Sequence, residues 1–582
     1  MGTLKNAERA EGGLSMKRFL RVDVSQRQCL VSDVPPEYQK LGGRGLTSVL
    51  ISREVSPLSH PWGPHNKLVI APGILAGTSA PCCQRLSVGG KSPLTSGVKE
   101  ANSGGTAALK MARLGFAAII LEGIPQSKGL SLLYIDKKGP RLEDAEYLKG
   151  AGNYEVSAKL REKYGSHIGI ISIGPAGEFL MCAASVAIND KDGVPCRHAA
   201  RGGLGAVMGS KGIKAIVLND EGVPKIVSAA DPERFRQTVQ EFVKVIRERP
   251  RVKEALPKYG TSAVIALANQ VNSLPTLNFR SGQFAGYTKI GADALVEVID
   301  SRGGKRGHSC YDGCIVRCSN VVPGNDGKHL TSSLEYETLA MLGANCGLDD
   351  LETIATLDRL CDDYGLDTIE VGNAMGVAME GGLLAFGDGR RMIELLQEIG
   401  RGTPTGRILG AGAVVTGKVF GVWRVAAVKG QGFPAWDPRT ALATGVTFLT
   451  SPQGADHTAG RLQGVLEFGE LDPGKIVAMS RDLQIRVCSQ DTAGLCQFAD
   501  GSSDSAEFLA KLVSAFYGQE TTVEEWLSLG KKILKTERDY NQAAGISVAE
   551  DRLPEFMREE PLLPTQSTFT VTDKEVDELF NF

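Results

Sequence analysis

The stretch Asp491-Thr-Ala-Gly-Leu-Cys496 repeats, far downstream, the pattern of Asp362-Asp-Tyr-Gly-Leu-Asp367. In each copy the spacing predicts a helix that stops at its glycine and leaves the aspartate in the last turn, because glycine takes the left-handed conformation that closes a helix. A carboxylate placed there can accept paired N–H donors from a heterocycle carrying an amino group. A single copy reads as a plain helix C-cap. Two copies, one ending in a cysteine, read as two similar loops for two similar ligands. Asp362 and Asp491 are the candidate clamps, and Asp367 and Cys496 close the two loops.

The cysteine that ends the second copy has distant company. Cys310, Cys314 and Cys318 lie close together, and with Cys496 they form the three-plus-one set that an iron–sulfur cluster requires. A structural zinc site also uses four cysteines, but it more often shows two C-x-x-C knuckles, which this sequence lacks. Cys488 is a rival fourth ligand, and the other cysteines (Cys29, Cys82, Cys83, Cys182, Cys196, Cys346 and Cys361) are most simply small core residues. A cluster beside a paired organic cofactor points to redox chemistry.

The bulk composition narrows the setting. A chain of 582 residues divides into several domains, and 42% hydrophobic with 23% charged residues is ordinary for a globular protein. A net charge of −2 leaves no electrostatic footprint for nucleic acid or an anionic membrane. The 70 glycines exceed the roughly forty that average usage gives, which points to close backbone approach at ligand-facing turns. Residues 1–15 are polar and read as a disordered extension, with Met16 as an alternative start. Without a secretory signal or an apolar run of about 18 residues, the expectation is a cytoplasmic chain with reduced thiols and no membrane span.

From residue 16 to about 220 the pattern is β-rich. Strand-length apolar runs start at Arg18, Lys67, Ala117, Ser131, Ile168 and Ala215, and glycine turns are expected at Gly42–Gly45, Gly89–Gly90, Gly104–Gly105, Gly202–Gly203 and Gly209. Residues 221–425 read as a helical domain with the cysteine cluster and the first Asp-Gly-Leu turn. Helices are expected over 233–249 with Asp231 as N-cap, 337–343, 350–364 and 371–379. Residues 426–582 read as a second helical domain with the other turn. It has a loop from Gly430 to His457, helices over 475–490, 505–517 and 522–541, and a short acidic helix near 574–579.

A phosphate-bearing cofactor needs cations and free backbone N–H groups. Arg85, Lys91, Asn102 with Gly104, and Arg197 with Arg201 supply them from loops of the first domain. Each arginine alone reads as a surface residue, and their clustering carries the argument. No P-loop or dinucleotide fingerprint is present.

These residues resemble the tungsten-containing aldehyde:ferredoxin oxidoreductase family over nearly the whole chain. The most specific pieces are Gly42-Gly-Arg-Gly-Leu, Gly77-Thr-Ser-Ala-Pro, Lys91-Ser-Pro-Leu-Thr, Ala101-Asn-Ser-Gly-Gly, Ile173-Gly-Pro-Ala-Gly-Glu, Gly205-Ala-Val-Met-Gly-Ser-Lys, Glu335-Tyr-Glu-Thr and Ala435-Trp-Asp-Pro-Arg. The resemblance implies an α+β chain: an N-terminal domain of two β-sheets cradling two pyranopterins, followed by two mainly α-helical domains. It implies tungsten or molybdenum held by pterin sulfurs, one [4Fe–4S] cluster on Cys310, Cys314, Cys318 and Cys496, and a Mg2+ bridging the pterin phosphates through the carbonyls of Asn102 and His198. Arg85, Asn102, Gly104, Arg197, His198, Ala200, Arg201, Asp362, Leu366, Asp367, Asp491, Leu495 and Cys496 match cofactor-contacting positions. Glu337 and His457 match the residues that activate water and polarise a carbonyl. From the residues alone, Glu337 reads equally as a solvated helix carboxylate and His457 as a loop hydrogen-bonder.

The sequence departs from the family pattern in four places. Three residues rather than two separate Cys310 from Cys314. His198 and Ala200 replace smaller residues of the arginine loop. Thr356 stands where the glutamate of a subunit-bridging iron site would be, so a homo-oligomer would form without bridging iron. The stretch after His457 and the C-terminal tail are shorter, and substrate-pocket walls are expected there. The resulting reading is oxidation of an aldehyde to its carboxylic acid, with electrons leaving through the cluster to ferredoxin or an iron–sulfur partner subunit. The rivals are the catalytic subunit of a multi-subunit reductase acting on an activated acid or aromatic thioester, and a non-catalytic zinc-stapled binding protein.

Overall fold

The computed structural model describes residues 17–127, 129–460, 472–500 and 503–580. The expected N-terminal extension and the compressed stretch 461–471 after His457 lie outside the described residues.

The first two hundred residues build two six-stranded sheets. The strands are Arg18–Asp23 (β1), Gln28–Asp33 (β2), Leu68–Pro72 (β3), Leu86–Lys91 (β4), Val98–Ser103 (β5), Phe116–Glu122 (β6), Ser131–Asp136 (β7), Gly139–Asp144 (β8), Gly169–Ser172 (β9), Val186–Ile188 (β10), Arg197–Ala199 (β11) and Ile213–Leu218 (β12). One sheet runs β2-β1-β6-β3-β4-β5 and the other β11-β10-β9-β12-β7-β8. Only β1 with β6 and β7 with β12 pair in parallel, each joined by a long crossover. The sheets share one apolar core: Leu20, Leu68, Ile70 and Ile119 from the first pack with Ile171, Ile188 and Ile216 from the second.

Three glycine sites differ from the turn expectation, and packing explains each. Gly42 is extended and caps a helix, Gly43–Glu54, instead of closing a turn. Gly89 and Gly90 lie inside β4, where a Cβ on Gly89 would sit 2.5 Å from Thr47 Cβ of that helix. Gly209 is inside the helix Leu204–Ser210, 2.0 Å by the same test from the Gly177 carbonyl oxygen. These glycines permit helices to lie directly on strands and neighbouring loops, a use that sequence alone does not separate from turning.

After the sheets the chain is mostly helical. Pro232–Glu248 is capped by Asp231, whose side chain accepts the Arg234 N–H. Glu337 sits in a short α-helical turn, Tyr336–Thr338, that continues as a π-helix over Leu339–Gly343. Leu351–Tyr364, Thr368–Glu380, Pro473–Ala493, Ser503–Tyr517 and Val523–Ala543 complete the main helices. A small three-stranded sheet, Lys305–His308, Ser319–Pro323 and His329–Ser332, interrupts them and carries Cys310, Cys314 and Cys318 in its first connection. The expected loop from Gly430 to His457 is corrected by a helix, Leu442–Thr450. That helix is buried from Ala443 to Thr450, so it shows no polar face, and its threonines, valine and glycine are weak helix formers.

Candidate active site

Each Asp-Gly-Leu turn docks on a different sheet. Gly365 (φ 71°) and Gly494 (φ 86°) both end their helices in the left-handed conformation. Leu366 N–H then reaches back to the Cys361 carbonyl at 2.8 Å, and Leu495 N–H to Gln490 at 3.1 Å. The first turn pairs with the segment before β10: Asp367 N–H donates to Ala183 O, and Ser185 N–H to Gly365 O, both at 2.9 Å. The second pairs with the segment between β3 and β4. There Ile74, Leu75 and Arg85 donate to the carbonyls of Thr492, Ala493 and Gly494, and Cys496 N–H donates to Cys82 O at 2.9 Å. Backbone pairing thus places both loops against the sheets to within hydrogen-bond tolerance.

Around the second turn, Arg85 clasps Asn102 through the side-chain oxygen and, at 3.1 Å, the carbonyl. Gly104 leaves room for Cys310: an added Cβ would lie 3.2 Å from the Cys310 sulfur and 3.5 Å from Arg85 Nη1. Arg44 holds Glu537 through two hydrogen bonds (3.0 and 2.8 Å) and stands 3.8 Å from Asp491. Burial and the neighbouring Glu100 carboxylate push Asp491 well above the usual carboxylate range, against the pull of Arg44 and Arg85. Gly43 is essential to this contact. Its φ is +45°, and a Cβ there would stand 2.1 Å from the Asp491 carbonyl oxygen. Gly43→Ala is expected to displace the turn and lower the midpoint of thermal unfolding, with about 1–2 kcal/mol from the left-handed backbone alone. Gly139→Ala, whose Cβ would meet nothing within 4 Å, lacks the steric part of that cost and serves as the comparison.

Around the first turn, His198 Nε2 lies 3.1 Å from Asp362 and its Nδ1 lies 2.7 Å from the Ser185 hydroxyl. Arg201 is buried and donates to Asp367 (3.1 Å), to Gly432 O (2.7 Å) and to Ala455 O, with Glu370 at 3.6 Å. Leu366 and Leu495 are buried, and Ala200 follows β11 half-buried. Lys91 is the residue the structure does not bring to this group: its ammonium donates to the Pro57 carbonyl.

Glu337 and His457 form a pair from separate elements. Ala435 N–H donates to Glu337 Oε2 at 2.7 Å, and the other oxygen, Oε1, is 3.4 Å from His457 Nε2. Asp456, next to His457, accepts from buried Lys99 at 2.7 Å. Burial disfavours the Asp456 charge, but Lys99 and Arg201 outweigh it and hold its carboxyl well below the usual range. A depressed folded-state value gives stability that is complete above about pH 4 and is lost as pH falls through it. Lys99→Met is therefore expected to lower the unfolding midpoint at pH 7, with the gap from wild type shrinking below about pH 4 as Asp456 is protonated.

The thiols converge beside the second turn. Cys310 and Cys314 are hydrogen-bonded to each other, and Cys318 lies near Glu335, Cys496 and Cys310. Arg197 stands over them with Nε and Nη2 buried and without hydrogen-bond partners. Orphaned guanidinium nitrogens beside a glycine-walled cradle fit an anionic cofactor, and four half-buried thiols fit a metal cluster. Among the described residues, the one group of donors whose ligand atoms all fall within 4.8 Å is Asp190, Asp192 and His308. Cys488 is buried against Arg44 and Glu537, away from the thiol group.

The family models agree with this architecture. The model described as aldehyde ferredoxin oxidoreductase, N-terminal domain, matches residues 19–220, and that for domains 2 and 3 matches residues 237–581. The chain belongs to the tungsten-containing aldehyde:ferredoxin oxidoreductase family. It is 33% identical to the tungsten-containing aldehyde ferredoxin oxidoreductase of Thermococcus kodakarensis over 94% of this chain and 92% of that protein. It is equally close to the Pyrococcus furiosus protein of that name, with the same coverage. In fold it is similar to the active-site complex BamBC of benzoyl coenzyme A reductase with 1,5-dienoyl-CoA, with a TM-score of 0.79 and 20% identity over 97% of this chain and 93% of that one. The protein is thus an oxidoreductase of this family with a metal–pterin-like centre. In keeping with the family reading, no described helix is long and apolar enough to cross a membrane. Thr356 donates its hydroxyl to the Glu352 carbonyl of its own helix.

Sequence reasoning missed Arg44, Lys99, Glu100 and Glu370, whose partners lie hundreds of residues away or on other elements and leave no local pattern. Cys82 and Cys83 are buried core residues, as the sequence suggested, and Cys314, Cys318 and Cys496 pack against the same core cluster.

Proposed function

We propose that this protein oxidises an aldehyde to the carboxylic acid at a tungsten (or molybdenum) bis-pyranopterin centre. In this reading the cofactor is held between the Asp362 and Asp491 turns by Arg85, Asn102, Gly104, Arg197, His198, Ala200, Arg201, Leu366, Asp367, Leu495 and Cys496, with Mg2+ at its phosphates. When bound, the metal centre supplies the two-electron redox step. Aldehyde and water give carboxylate, protons and two electrons; Cys310, Cys314, Cys318 and Cys496 would hold one [4Fe–4S] cluster, which would supply the outlet for those electrons to ferredoxin or a partner subunit.

The observation that carries the proposal is the Glu337–His457 pair. The Ala435 N–H fixes one Glu337 oxygen and leaves the other facing the imidazole at 3.4 Å. Glu337 takes the proton from the attacking water, and His457 donates to the substrate oxygen as charge develops on it.

A second reading has its own support. The structural match to the benzoyl coenzyme A reductase complex spans nearly the whole chain, and this sequence supplies one cluster and no flavin motif. In that reading the chain is the catalytic subunit of a reductase acting on an activated acid or aromatic thioester. Holoenzyme is assayed with a panel of aldehydes and a viologen acceptor, and in parallel with aromatic thioesters and a low-potential donor. Turnover of aldehydes alone supports the first reading, and turnover of thioesters alone, with a copurifying partner, replaces it with the second.

A further inference from the structure

The thiol group holds more sulfur than a four-ligand cluster uses. Cys82 and Cys83 are 1% and 0% exposed and lie in the same apolar cluster as Cys314, Cys318 and Cys496. Cys82 is pinned to the fourth ligand, since its carbonyl accepts the Cys496 N–H at 2.9 Å. It is also held in the left-handed backbone region at φ 57°, which a non-glycine residue adopts only where its surroundings impose it. Its side chain is hydrogen-bonded to that of Cys314. Cys83 lies beside Cys496. Cys314 follows the lengthened gap Tyr311-Asp-Gly313, with Gly313 at φ 100°, whereas Cys310 lies against Gly104 and is hydrogen-bonded with the Gly105 backbone.

We propose that Cys82 is a reserve ligand of the iron–sulfur cluster, able to take the iron held by Cys314. The inference rests on the cluster reading given above. One thiolate ligand would be exchanged for another: the Cys82 proton passes to Cys314 along their hydrogen bond, and no electron moves. The site is thereby protected against loss or oxidation of Cys314.

The test uses holoenzyme purified anaerobically as wild type, Cys82→Ala, Cys314→Ala and the double variant Cys82→Ala/Cys314→Ala. Iron per chain and the low-temperature EPR spectrum of the reduced protein are measured. The expected result is about four irons per chain in both single variants, with shifted g-values in Cys314→Ala. The double variant falls to three irons or fewer. Equal iron content in Cys314→Ala and the double variant overturns the proposal. If Cys314→Ala does not fold, Cys314→Ser is compared with Cys82→Ala/Cys314→Ser, and identical spectra overturn it. A wild-type protein without iron instead overturns the cluster reading itself, and the proposal with it.

Discussion

Glu337→Gln is expected to lower kcat by about 10²- to 10⁴-fold while leaving metal and pterin content unchanged. Glutamine keeps the shape and can still accept the Ala435 N–H, which now holds Glu337 Oε2 at 2.7 Å. It cannot take a proton, so the base role proposed for the oxygen facing His457 would be lost. Because the two side chains act as a unit, 3.4 Å apart, the double variant Glu337→Gln/His457→Phe is expected to be little slower than the slower single variant. Wild-type kcat in Glu337→Gln at full cofactor loading would remove this carboxylate from the chemistry and return it to the role of a structural anchor for Ala435.

The second large effect concerns stability. Arg201→Met is expected to cost about 3–5 kcal/mol and to release the pterin, because it leaves buried carboxylates without their cation. Arg201 is 6% exposed and spans Asp367, the Gly432 and Ala455 carbonyls and, at 3.6 Å, Glu370. It ties the sheet, the first turn and the segment carrying Asp456 and His457 into one unit. Arg201→Lys keeps the charge but not the planar fork, and is expected to recover only part of the loss. The checks are the thermal unfolding midpoint and the fluorescence of oxidised pterin released from purified protein. An unchanged midpoint in Arg201→Met would contradict the arrangement described here.

Much of the fold was legible because it is local. The six apolar runs became strands β1, β3, β6, β7, β9 and β12, and both Asp-x-x-Gly-Leu turns close helices on left-handed glycines as their spacing predicts. The polar strands were not legible. β2, β8 and the short β10 and β11 have few apolar residues or are too brief to show alternation, and they form by pairing with neighbours. β4 and β5 are wholly or nearly buried, but their Gly, Lys, Asn and Ser residues break the apolar pattern that marks a buried strand. In the site, residues carried by a repeated motif were found. Arg44, Lys99 and Glu370 were not, because a buried ion pair is defined by a partner that only folding supplies.

The most direct measurement is elemental analysis for W, Mo, Fe and Zn on anaerobically purified holoenzyme, from a host able to make the pterin, with quantification of pterin per chain. The account predicts one tungsten or molybdenum, two pterins and about four irons per chain, with the brown absorption of an iron–sulfur cluster. Zinc alone, with neither iron nor pterin, would contradict it and make Cys310, Cys314, Cys318 and Cys496 a structural staple.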